Sequence, residues 1–175
     1  MSDRPRKVPL VPREERDRLV HGEHWNPHAV LGAHPGQVAG KPGTVVRAFH
    51  PAAVDATCVL EDGREVELRP DGDGGLFTAF LPGIEPPLRY RVRFGFADGA
   101  RWERDDPYRF LPTIGDIDLH LFNEGTHRRL WEVLGARSLR HDRVDGVAFA
   151  VWAPSARRVS VVGDFCGWDG RLFPM

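Results

Sequence analysis

The stretch LRYRVRFGF, Leu88–Phe96, sets Leu88, Tyr90, Val92, Phe94 and Phe96 on one side of an extended chain and Arg89, Arg91 and Arg93 on the other. A period of two is what a half-buried β-strand requires, because successive side chains point to opposite faces of the sheet. Working outward, 19 glycines and 15 prolines break the chain into short runs of the same kind, as in sandwiches and barrels. Alternation predicts further strands at 44–50, 57–60, 65–68, 76–81 and 100–104. Asp62-Gly63 lies between two of these runs and predicts a type I′ hairpin turn, since both residues tolerate positive φ. Helices are scarce. One is predicted at 13–21, between Pro12 and Gly22, and another from Thr126 as N-cap to Leu134, with Gly135 supplying the left-handed end.

Composition narrows the classes. Apolar residues make up 41% and charged residues 28% of 175, ordinary values for a globular protein. A net charge of −1 gives no field that would recruit nucleic acid or anionic lipid. The basic residues near the start (Arg4, Arg6, Lys7, Arg13, Arg16, Arg18) are mixed with acidic ones and read as a solvated tail. No apolar run is long enough for a membrane span or a secretory signal. Two cysteines, Cys58 and Cys166, are too few for a disulfide framework and fit a reducing, cytoplasmic compartment.

Two internal matches share one offset. Leu31-Gly-Ala-His34 returns as Leu134-Gly-Ala-Arg137, and Phe49-His-Pro-Ala-Ala53 returns as Trp152-Ala-Pro-Ser-Ala156, both 103 residues on. Val46-Arg-Ala-Phe49 matches Phe149-Ala-Val-Trp152 without a gap, and Val59 falls on Val162. The first copy runs from 31 to about 110, whereas the second occupies 134–175. The expected organisation is therefore all-β. A basic tail with a short helix (1–27) leads into an immunoglobulin-like β-sandwich (28–112) and a linker with a short helix (113–136). The expectation for 137–175 is a second sandwich that is truncated part-way.

Gly146-Val-Ala-Phe-Ala-Val-Trp-Ala-Pro-Ser-Ala156 and Val159-Ser-Val-Val-Gly-Asp-Phe-Cys-Gly-Trp-Asp169 resemble the isoamylase-type carbohydrate-binding module of the α-amylase superfamily. Asp106-Pro-Tyr-Arg-Phe-Leu-Pro112, Asp118-Leu-His-Leu-Phe-Asn-Glu-Gly-Thr-His127 and Leu130-Trp-Glu-Val-Leu-Gly-Ala136 are similar to the junction between the two N-terminal modules of bacterial 1,4-α-glucan branching enzymes. Asn26-Pro-His-Ala-Val-Leu-Gly-Ala-His-Pro35 resembles the start of the first module. One departure is Cys166, where the family usually has Asn, so a hydrogen bond from that amide is lost or moved to the backbone.

The resemblance implies a parent enzyme, a cytoplasmic monomer, that cuts an α-1,4 glucan, holds the segment on a carboxylate and transfers it to a 6-hydroxyl. That chemistry uses two carboxylates about 5–5.5 Å apart, carried on a (β/α)₈ barrel of about 250 residues. No catalytic residue is therefore expected here, and the expected partners are α-1,4 glucan and that barrel. A stand-alone glycogen-binding adaptor is the alternative from a different class.

Other chemistries read weakly. Asp105-Asp106 and Asp116/Asp118 stand where aspartate serves turns and caps. His21, His24, His28 and His34 match no zinc spacing, and Asp71-Gly-Asp-Gly-Gly75 has Pro82 at the twelfth position of a calcium loop, so neither metal nor cofactor is expected. Flat rings are better candidates, since sugars present C–H faces that pack on indole. Resemblance places Trp152 at a platform position at a strand end, with Phe49 in the matching slot of the first copy. Gly99-Ala-Arg-Trp102-Glu-Arg-Asp-Asp-Pro107 resembles a second platform loop, and Trp168 lies in a turn of the second module. The expected carbohydrate contacts are thus Trp102, Trp152, Trp168 and Phe49.

Overall fold

The computed structural model describes residues 8–175, so Arg4, Arg6 and Lys7 of the basic tail lie outside the described residues. Two compact units divide the chain. One holds the chain through Arg109 together with Arg157–Met175, and the other spans Phe110–Ala156.

Seven antiparallel strands build the first unit: β1 (Gly32–Val38), β2 (Lys41–Phe49), β3 (Ala53–Leu60), β4 (Glu65–Pro70), β5 (Leu76–Pro82), β6 (Tyr90–Phe96) and β7 (Arg101–Asp105). Their order is β1-β2-β5-β4-β3-β6-β7, and β4 joins β5 through only Arg69↔Thr78 and Pro70↔Phe77. At that weak seam the ribbon folds over into two layers. Val46, Ala48, Phe77, Ala79 and Leu81 from one layer meet Ala56, Cys58, Leu60, Leu68, Tyr90, Val92 and Phe94 from the other in a single apolar core. Among the described residues the fold is all-β, as expected, with two short α-helices. The alternation in Leu88–Phe96 sorts as read, with Tyr90, Val92 and Phe94 buried and Arg91 and Arg93 facing Glu103 and Glu65 across the outer surface.

A second apolar cluster covers the other side of β2. Helix α1 (Arg13–Val20) contributes Leu19, the approach to β1 gives Val30 and Leu31, and Val11, Phe49 and Leu76 complete it. Asp71 anchors the incoming segment, its carboxylate accepting the Val11 N–H at 3.1 Å with Arg16 3.6 Å away. Gly75 is fixed by close approach: at φ +89° a Cβ would stand 2.1 Å from the His50 carbonyl oxygen.

The hairpin at Asp62-Gly63 departs from the expected type I′ turn. Only Gly63 takes positive φ, its N–H bonds to Leu60 O at 2.9 Å, and Leu60 N–H bonds to Arg64 O at 2.9 Å. That is a three-residue loop, a type I turn closed by a left-handed glycine. Two-residue loops with both φ positive occur instead at Ala39-Gly40 and Asp142-Arg143.

The second unit consists of α2 (Asp116–Asn123) and a hairpin of β8 (Gly135–His141) and β9 (Val144–Ala150). The helix expected at 126–134 is replaced by α2 and a single 3-10 turn at Leu130–Glu132. Gly125-Thr126 does not open a helix. It closes α2, with Gly125 at φ +72°, its N–H on Phe122 O and the Thr126 N–H on Leu121 O, both at 3.0 Å. This is a Schellman stop.

The repeat proves longer than the sequence matches. Each element from α1 to β8 has a counterpart 103 residues away: α1 and α2, the stops at Gly22 and Gly125, the 3-10 turns Pro27–Ala29 and Leu130–Glu132, then β1 and β8. The β1–β2 pairing Gly32↔Arg47 reappears as Gly135↔Ala150, so the hairpin register is also shared.

Candidate functional site

The four expected sugar-contacting rings lie in different settings. Phe49 is 5% exposed, and its ring belongs to the cluster beneath α1. Trp102 on β7 is partly buried, with the Arg104 guanidinium over its ring at 4.1 Å from the centroid and His50 edge-on at 5.6 Å. The other side of that guanidinium meets Phe173 at 4.4 Å, which makes a three-layer stack. Arg104 comes from the same strand face two residues on, so the strand itself supplies the cover over Trp102.

Trp168 is 67% exposed. It follows the 3-10 turn Asp164–Cys166 in a left-handed conformation, φ +61°, rare for a bulky residue. Its indole N–H donates to Asp164 Oδ1 at 2.9 Å, which pins the polar edge and leaves the ring face open. Beside it the Asp169 carboxyl is held below the usual carboxylate range, first by its hydrogen bonds from Arg171. At Cys166 the thiol donates to Gly163 O at 3.2 Å. The interaction is thus with the backbone, in place of the Asn amide usual in the resembled family.

In the second unit Trp152 is 62% exposed and meets Phe122 of α2 edge-to-face at 4.8 Å. Trp152 and Phe122 are the counterparts of Phe49 and Leu19 across the repeat. The structure also exposes two indoles that the sequence reading did not single out, Trp25 and Trp131. The signal available is position: Trp25 precedes the 3-10 turn Pro27–Ala29 and Trp131 lies within the 3-10 turn Leu130–Glu132, both outside any alternating run.

The carboxylates are engaged structurally. Asp106 is buried, accepts the Tyr90 hydroxyl at 2.5 Å and the Tyr108 N–H at 3.0 Å, and has its pKa raised mainly by burial. Asp105 takes the Arg109 guanidinium at 2.8 Å. Asp118 accepts the Gly115 N–H at 3.3 Å and His127 Nε2 at 3.0 Å, and its pKa is lowered chiefly by the His127 bond. The four early histidines do not converge. His21 bonds to Asp17 O at 2.7 Å and His34 to Leu31 O at 2.9 Å, while His28 packs edge-on against Tyr108 and His24 Nδ1 accepts the Asn26 N–H.

The fold is a module of layered antiparallel strands with exposed indoles at Trp152 and Trp168, the Trp168 edge held by Asp164. Residues 12–108 match the family of the alpha-1,4-glucan branching enzyme GlgB N-terminal domain, and residues 133–175 match carbohydrate-binding module 48, the isoamylase N-terminal domain. The chain belongs to the GlgB N-terminal domain family. Among its relatives, the 1,4-alpha-glucan branching enzyme GlgB of Thermobifida fusca is 48% identical over 92% of this chain and 21% of the relative. Those of Paramagnetospirillum magneticum and Ralstonia nicotianae are 47% and 46% identical over 98% of this chain, and 22% and 24% of theirs. The chain spans about a fifth to a quarter of the length of the relatives it matches.

Proposed function

We propose that this chain is the glucan-contacting, non-catalytic part of a 1,4-α-glucan branching enzyme, with the α-1,6 branch-forming chemistry on a catalytic barrel elsewhere in the parent. The observation that carries the reading is the tandem match, a branching-enzyme module followed in order by a carbohydrate-binding module. The proposed module boundaries are 28–112 and 137–175, joined by 113–136. The parent is proposed to act in the cytoplasm as a monomer.

The glucan contacts fall to exposed rings. Trp168, with its edge fixed by Asp164 and its face open, is the foremost, and Trp152 is the second. Trp102 would need the Arg104 guanidinium to move off its face, and Phe49 is enclosed. A stack or two supplies on the order of a few kcal/mol, hence roughly millimolar dissociation constants.

Affinity electrophoresis in gels containing glycogen tests this. The chain should be retarded relative to a glycogen-free gel, and Trp168→Ala and Trp152→Ala should each recover mobility. Amylose stained with iodine should keep its absorbance when incubated with the pure chain. Unretarded migration, or a clear loss of absorbance, would overturn the reading.

A further inference from the structure

We infer that Trp25 is a further glucan-contacting ring, and that with Trp168 it forms one site for an α-1,4-linked chain long enough to reach both. The inference rests on the reading that Trp168 meets glucan. It joins a residue of the first family match to a ring of the second.

Trp25 is 76% exposed, on a segment whose backbone is fixed on both sides. Gly22 ends α1 at φ +67°, its N–H on Leu19 O at 3.0 Å and the Glu23 N–H on Arg18 O at 2.8 Å. From there inward and outward residues alternate. Gly22 and His24 are buried, Glu23 and Trp25 are exposed, and Pro27 is buried at the start of its 3-10 turn. His24 Nδ1 accepts the Asn26 N–H at 3.1 Å, which ties down the chain beyond the indole. A ring held out in this way has little freedom left to lose, the condition under which a single stack contributes affinity.

The topology brings Trp25 and Trp168 to the same end of the first unit. β1 begins there, beside the end of β2 through the pair Gly32↔Arg47. The β2–β3 and β4–β5 connections lie there too, with Gly75 against the His50 carbonyl and Gly74 against Val20 of α1. The turn that carries Trp168 sits on that end. A Cβ on Gly22 would stand 3.6 Å from Arg171 Cα and 3.7 Å from Gly170 O, and the charges of Asp169 and Arg171 act on His50. Each indole is three residues from the Gly22–Arg171 contact, which limits their separation to at most about 27 Å.

The surroundings name the ligand class. Glu23 and Asn26 flank one ring, and Asp169 flanks the other, paired with Arg171 at 2.6 Å. Polar groups of both signs beside a flat ring suit the hydroxyls and C–H faces of a sugar, whereas a phosphorylated ligand would need an excess of cations. Two weak stacks on one chain combine through effective concentration, so glucan length, more than either ring alone, sets the affinity.

The test uses the full 175-residue chain, ¹⁵N-labelled, with maltotriose and maltoheptaose as probes. Both indole N–H signals should saturate with one dissociation constant for maltoheptaose, about tenfold or more below that for maltotriose at Trp168. Trp25→Ala, at an exposed position, should leave the far-UV circular dichroism and maltotriose binding at Trp168 unchanged, and should remove most of the gain with length. Trp25→Phe should retain part of it. The inference is overturned if the Trp168 signal shifts while Trp25 stays in place, or if Trp25→Ala binds maltoheptaose as tightly as the wild type. Those outcomes leave the glucan reading of Trp168 standing, whereas indoles that ignore both sugars overturn that reading and this inference together.

Discussion

His24 and His127 stand 103 residues apart and make the same bond: each Nδ1 accepts the backbone N–H two residues on, from Asn26 at 3.1 Å and from Arg129 at 3.2 Å. An accepting Nδ1 carries no proton, so both rings are the Nε2–H tautomer. His127 uses that proton to donate to Asp118 at 3.0 Å. Each histidine fixes the turn between a helix stop and the 3-10 turn that leads into a strand. His24→Ala should cost about 1–3 kcal/mol, since that site is buried and the Asn26 N–H loses its acceptor. His127→Ala, next to an exposed amide, should cost about 1 kcal/mol or less. Hydrogen exchange read strand by strand should show the first change loosening β1 and the second β8.

His50 predicts an acid-sensitive first unit. Its pKa is pushed down to about 4, first by burial and then by the nearby Arg104 charge, with Arg171 adding and Asp169 opposing. Its Nδ1 accepts the Ala52 N–H at 3.2 Å, a bond that requires the neutral ring. An unfolded histidine titrates near 6.5, so between that pH and about 4 the unfolded chain binds a proton that the folded chain does not. The contribution is fully present at neutral pH and is lost as pH falls through this window, by at most about 3 kcal/mol. Urea midpoints measured from pH 7 to pH 4 should fall more steeply for the wild type than for His50→Gln.

Ala39 occupies a position suited to asparagine or glycine. Its φ of +50° in the two-residue loop before Gly40 is strained for a residue with a Cβ and no side-chain hydrogen bond. Ala39→Asn creates the preferred Asn-Gly turn and should raise stability by about 0.5–1 kcal/mol. Thermal melts should show a higher Tm, and an unchanged or lower one would refute the strain argument.

The Trp102–Arg104–Phe173 stack ties the last residues of the chain to β7, assisted by the Tyr108 hydroxyl donating to Pro174 O at 2.8 Å. A planar guanidinium fits between two rings, and an ammonium does not. Arg104→Lys and Phe173→Leu should each destabilise the first unit by about 0.5–2 kcal/mol. The double variant should cost less than the two together, and strict additivity in a double-mutant cycle would show that the layers are not coupled.

β6 is the strand most legible in the sequence because period-two patterning and burial agree there, whereas β2 and β5 are buried on both faces and show as short apolar runs bounded by Gly and Pro. β1 is not legible, because Gly32-Ala-His-Pro-Gly-Gln-Val38 shows no alternation, and its pairing comes from the tight loop at Ala39-Gly40. The helix error at 126–134 arose because Gly-Thr can end one helix or begin another, and only the Thr126→Leu121 bond decides. Phe49 illustrates the limit at the candidate site. Alternation puts its ring outside the sandwich core, but α1 and Val11 cover that side too, and nothing local in the sequence reports it. Trp102 likewise gains its cover from Arg104 two positions on, a neighbour that a strand pattern marks merely as charged.

The most direct test of the glucan-contact assignment is an NMR titration of the ¹⁵N-labelled chain with maltoheptaose, following the five indole N–H signals. Millimolar sugar should shift the Trp168 and Trp152 signals in a saturable way and leave Trp102 in place. Five unmoved indoles, or a response confined to Trp102, would contradict it.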